Sequence, residues 1–123
     1  MISMAMLHDA QRVLKPVINR TPVIPTKRLV PGCEFYLKAD CLQKTGAFKL
    51  RGAYYKIATL SDEEKERGVI ACSAGNHAQG VAFAARDMGI RATICIPEGA
   101  PISKIEATRS YGANVVLVPG GYD

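Results

Sequence analysis

Hydrophobic positions along this 123-residue chain change period several times. Leu50, Ala53, Tyr54, Ile57 and Ala58 recur at helical spacing, and so do Val81, Ala84, Ala85 and Met88. Val69–Cys72, Ala92–Ile96 and Asn114–Val118 are instead short, continuous apolar runs rich in β-branched residues. The pattern predicts a first helix over Met4–Lys15, capped by Ser3 and stopped by Pro16. An irregular, proline-punctuated stretch is expected over Pro16–Gly32, then a strand over Glu34–Lys38. A helix should run from Lys49 to about Thr59. Ser61 and Glu64 have capping-box spacing and open a short helix that Gly68 closes. After the 69–72 strand come a helix over 76–88 ending at Gly89, the 92–96 strand, a helix over 101–110 and the 114–118 strand.

Strands that alternate with helices and are apolar on both faces indicate an α/β fold, a parallel sheet flanked by helices with right-handed crossovers. The length fits one domain with a real core. The net charge of +5 comes from sixteen scattered basic residues whose longest run is Lys27-Arg28. No basic stripe interleaved with aromatics accompanies them, so nucleic acid is not an expected partner. Cys33, Cys41, Cys72 and Cys95 have no paired metal spacing, and two histidines add none, so no metal site is expected. Cys72 and Cys95 read as inert core thiols, Cys41 as more accessible. Such cysteine usage fits a reducing, cytoplasmic compartment. No apolar run approaches membrane-spanning length.

Two segments carry chemistry. Lys49 follows a glycine turn and falls in the first turn of its helix. That helix end has unpaired N–H groups and a partial positive charge, which disfavours an ammonium relative to the neutral amine that imine formation requires. The second segment, Ser73-Ala74-Gly75-Asn76-His77, joins a strand to a helix N-terminus. Backbone N–H groups and the helix dipole there suit a carboxylate or phosphate. A plain loop capped by Ser or Asn accounts for the same residues.

Lys38-Ala39-Asp40 and Thr45-Gly46-Ala47-Phe48-Lys49-Leu50-Arg51-Gly52-Ala53 together resemble the cofactor-lysine segment of the fold type II pyridoxal-phosphate enzymes. Within them the chain is most similar to the threonine/serine dehydratase and serine racemase branch. Asp40, Cys41 and Ala47 stand where that branch more usually has Glu, Asn and Ser. The resemblance extends from Asn19-Arg20-Thr21-Pro22 to Tyr111-Gly112-Ala113. It implies that Lys49 forms a Schiff base with pyridoxal 5′-phosphate and that Phe48 packs near the ring. It further implies that Ser73, Ala74, Gly75, Asn76 and His77 form the loop for the substrate carboxylate, with Asn76 beside the 3′-oxygen of the cofactor. His77 either shapes that loop or packs at the helix start for structural reasons.

Ala74 separates two reactions. Racemisation needs a proton donor or acceptor on both faces of the carbanion, whereas α,β-elimination runs from the lysine face alone. An alanine where racemase-like members offer a serine favours elimination. The resemblance thus implies deamination of L-threonine or L-serine to a 2-oxo acid and ammonia, with a serine racemase-like or other lyase activity as the alternative. It also implies a longer, two-domain protein, with 1–48 belonging to the larger domain and 49–123 forming most of the smaller one. The family's glycine-rich phosphate loop has no counterpart in these residues, so the chain is expected to be an N-terminal portion. The alternative of another class is a non-catalytic fragment. An unfinished sheet presents unpaired edges, so self-association or a homo-oligomer is expected.

Overall fold

The computed structural model describes residues 2–26 and 31–121; Lys27-Arg28 and the last two residues lie outside them. The first helix, α1 (Met4–Leu14), begins as expected, with the Ser3 hydroxyl accepting a hydrogen bond from the Met6 N–H. Two short strands follow, β1 (Val23–Thr26) and β2 (Phe35–Lys38), and then a single 3₁₀ turn over Asp40–Leu42. The remaining elements alternate: α2 (Lys49–Ala58), α3 (Asp62–Arg67), β3 (Val69–Cys72), α4 (Asn76–Asp87), β4 (Ala92–Pro97), α5 (Ile102–Ser110) and β5 (Asn114–Val118).

β3, β4 and β5 form the expected parallel sheet in that order, with Ala71 opposite Ile94 and Ile94 opposite Val115. Gly68 sets its start. Its φ is +85°, and a Cβ there would lie 2.7 Å from the Arg91 carbonyl oxygen. The bare backbone lets the Val69 N–H reach that same oxygen at 2.8 Å, which aligns β3 with β4.

The stretch expected to be irregular contains β1, which pairs antiparallel with β2, Val23 opposite Lys38 and Thr26 opposite Phe35. Pro22 and Pro25 hide this strand in the sequence, because proline reads as a breaker. A two-stranded ribbon is all edge, and there proline is tolerated.

The core lies between the sheet and α4. Ile94 and Ile96 of β4 are fully buried, and so are Leu50 of α2 and Ala78, Ala84 and Ala85 of α4. α4 is buried along Ala78–Ala85 rather than on one face. Its small side chains let α2 pack on one side and the sheet on the other. The middle of α2 is tied to the last residue of α4 by the Tyr54 hydroxyl, which donates to the Asp87 carboxylate at 2.8 Å. Burial, and then that carboxylate, push the Tyr54 hydroxyl up to about 12.

The expectation that Cys72 and Cys95 are core thiols is corrected. Cys72 is exposed and Cys95 half-buried, because alternate residues of β3 and β4 face away from α4. Ile70, on the same face of β3 as Cys72, is 74% exposed. Among the described residues no helix is long and apolar enough to cross a membrane, and no cluster of metal-ligating side chains occurs.

Candidate active site

Lys49 is the first residue of α2, and the N-cap residue Phe48 makes no side-chain capping bond. The backbone reaches this point through a tightly tied loop. Buried Gln43 accepts from the Asn19 N–H at 2.9 Å and donates to the Asn19 carbonyl at 3.0 Å. Gly46, with φ +68°, turns the chain after it.

A second tie spans the same loop. Arg51 donates to both carboxylate oxygens of Asp40, at 3.1 and 2.9 Å, and to the Thr21 hydroxyl at 3.1 Å. The Thr21 hydroxyl in turn donates to Asp40. Charge-assisted contacts of this kind hold a carboxylate ionised. The Arg51 guanidinium is the main cause, and with the Thr21 hydroxyl it brings Asp40 down to about 2. The reciprocal contact raises Arg51. The start of α2 is therefore fixed from the loop side and from the helix side, two residues from Lys49.

The Lys49 amine itself is exposed. It stands 5.2 Å from the centre of the Phe48 ring and has no ion pair or hydrogen bond among the described residues. Phe48 is 61% exposed, so an aromatic face and an uncommitted amine are presented together. In the preceding loop, the buried Thr45 hydroxyl has no hydrogen-bond partner.

The second segment runs from β3 into α4. The Ser73 N–H donates to the Cys95 carbonyl at 3.1 Å, which extends the β3–β4 pairing by one bond. The Ser73 hydroxyl accepts from the Gly75 N–H at 3.3 Å and shapes the turn. Ala74 is 3% exposed and its methyl group belongs to the core. Gly75 caps α4 without a side-chain bond, so the first N–H groups of a twelve-residue helix have no side-chain acceptor. Asn76 and His77 are both exposed, on different flanks. The Asn76 side-chain oxygen accepts from Lys104 of α5 at 3.4 Å. His77 lines a cavity of about 580 Å³ with Gly52 and Ile57 of α2 and Ile70 of β3.

Lys49 and Asn76 are each the first residue of a helix, and those two helices pack on one another. The sequence reading found both. It did not find Lys104, Arg51 or Asp40 as supports, because their contacts join residues distant in the chain and follow no local period. Asp40, noted only as a departure from the usual glutamate, is the anchor of the Lys49 loop.

A parallel α/β sheet whose helix starts present an unpaired lysine beside an uncapped strand-to-helix turn defines a class of site built for imine chemistry next to an anion. The chain belongs to the family of pyridoxal-phosphate-dependent enzymes, whose pattern matches residues 14–123. It is 55% identical to an L-threonine ammonia-lyase of Thermotoga maritima, a match that covers 100% of this chain and 31% of that protein. Among solved structures it is similar to maize serine racemase, with a TM-score of 0.87 and 41% identity over 94% of this chain and 36% of the other. It is similar also to the processed form of a threonine deaminase from Solanum lycopersicum, with a TM-score of 0.81 and 36% identity over 99% of this chain and 38% of the other. The chain thus spans about a third of the length of the relatives it matches.

Proposed function

We propose that this chain carries the lysine half of a pyridoxal-phosphate-dependent ammonia-lyase acting on L-threonine and L-serine. One observation carries the reading: the unpaired Lys49 amine begins a helix that packs on the helix beginning at Asn76. The donor set fits the cofactor. A free amine suits its aldehyde, an exposed aromatic ring stands beside that amine, and an amide and uncapped N–H groups suit its anionic oxygens and the substrate carboxylate.

In this reading Lys49 holds the cofactor, and its Nζ, once released by substrate, accepts the proton from the substrate Cα. The backbone N–H groups of 73–77 orient the substrate carboxylate, with Ser73 keeping the turn in shape through the Gly75 N–H. Lys104 can only donate, so its contact fixes the Asn76 oxygen and leaves an Asn76 NH₂ that would donate to the 3′-oxygen of the cofactor. The bound cofactor supplies a conjugated ring that takes up the charge left at Cα. With the Cα proton taken up at Lys49 Nζ, departure of the β-hydroxyl as water and uptake of one water would give the 2-oxo acid and ammonia.

The relatives include both a lyase and a racemase, and Ala74 favours elimination. Its side chain is a buried methyl group with no hydroxyl to give or take a proton. We place residues 1–48 with a larger domain and 49–123 with a smaller one. The four free thiols support a reducing, cytoplasmic setting, which cell fractionation reads directly. The reaction is tested by giving L-threonine and L-serine to the protein that carries this chain. Formation of 2-oxobutanoate from L-threonine is expected; D-serine from L-serine with little oxo acid would reverse the assignment.

A further inference from the structure

Two glycines lie inside helices in opposite surroundings. Gly52 of α2 is exposed, and a Cβ built on it meets nothing within 4 Å. Gly80 of α4 is buried, and a Cβ there would lie 3.2 Å from the Leu50 nitrogen and 3.2 Å from both the carbonyl carbon and oxygen of Lys49. Carbon atoms in good contact stand about 3.5–4.0 Å apart. The backbone of α4 therefore touches the backbone of α2 at the lysine itself.

Glycine is a poor residue for a helix interior, since alanine fixes the backbone at lower entropic cost. At Gly80 the absent side chain is what permits the contact. Both partners are main-chain atoms inside helices and cannot rotate aside as the end of a side chain can. A methyl group would move the start of α2 away from α4 by a few tenths of an ångström. The middle of α2 stays tied to the end of α4 by the Tyr54–Asp87 hydrogen bond, so the displacement falls on the Lys49 end.

Gly80 also lies four residues after Asn76, about one helical turn or 6 Å along α4. The same contact thus sets how far Lys49 stands from the turn at 73–77. We infer that Gly80 is the positioning residue for Lys49, holding the amine in register with the Asn76 loop. This inference rests on the reading of Lys49 as the cofactor lysine.

Three measurements test it. In the wild-type chain, an NOE from the Gly80 Hα protons to the Leu50 amide proton is expected, and its absence overturns the contact. Gly80→Ala is then made in a Gly52→Ala background, where the exposed replacement offsets lost helix stability. Gly52→Ala alone should raise the melting temperature, as an unconstrained helical glycine does, and adding Gly80→Ala should lower it. In the protein that carries this chain, pyridoxal phosphate titrations followed by the visible band of the lysine adduct should show about tenfold weaker binding for the double variant than for Gly52→Ala. A lower melting temperature with affinity within twofold of Gly52→Ala would make Gly80 a packing residue only and overturn the positioning role. Failure of the underlying reading shows separately, as a wild-type protein carrying this chain that develops no band at all; that result sinks both.

Discussion

Asp40 illustrates how a single carboxylate can organise a site it does not enter. Its side chain is 16% exposed and that of Arg51 28%, so their contact is partly shielded from solvent. Asp40 is lowered to about 2 from its ordinary 3.8, with Arg51 as the main cause. Ionised Asp40 therefore stabilises the fold fully above about pH 5, and the contribution fades as pH falls through 4 toward 2. A shift of that size corresponds to at most about 2 kcal/mol. Urea unfolding at pH 7 and pH 3 should show wild type losing more stability than Asp40→Asn by about 1 kcal/mol, the part of the contribution already gone at pH 3. Equal losses in the two proteins would remove the clamp from this account. At this scale the sequence was informative about Lys49, whose place after a glycine turn and ahead of a helical period is local. It was silent about Asp40, whose partners Arg51 and Thr21 lie 11 and 19 residues away.

Among the elements, α2 and α4 decide the site. Their periods were legible because Leu50, Ala53, Tyr54 and Ile57 form one buried face of α2. The all-round burial of Ala78–Ala85 in α4 was not, because the alanines and glycine that allow close packing carry little hydrophobic signal of their own. The capping box at Ser61 and Glu64 appeared as read, being a purely local device. β1 escaped because its pairing with β2 lies outside any local window. The Tyr54–Asp87 bond gives the helix pair a separate test. Tyr54→Phe keeps the buried ring and deletes one hydrogen bond to a charged group. It should cost about 1 kcal/mol, seen as a lower urea midpoint with an unchanged slope. No change in the midpoint would mean that the hydroxyl does not join the two helices in solution.

For the molecule as a whole, the order of the strands comes from the structure, while the parallel sheet and the helices beside it follow from alternation of period along the chain. The antiparallel ribbon and the exposed outer face of β3 do not, since both depend on what each element packs against. These scales meet in the proposed role of Lys49, which, placed by its loop and by α4, would hold pyridoxal phosphate. The most direct measurement adds pyridoxal phosphate to the protein that carries this chain, reduces the product with borohydride and maps the modified lysine by mass spectrometry. A visible band in wild type, its loss in Lys49→Ala, and reductive trapping on Lys49 are the predicted result. Trapping spread over other lysines, or an equal band in Lys49→Ala, would contradict it.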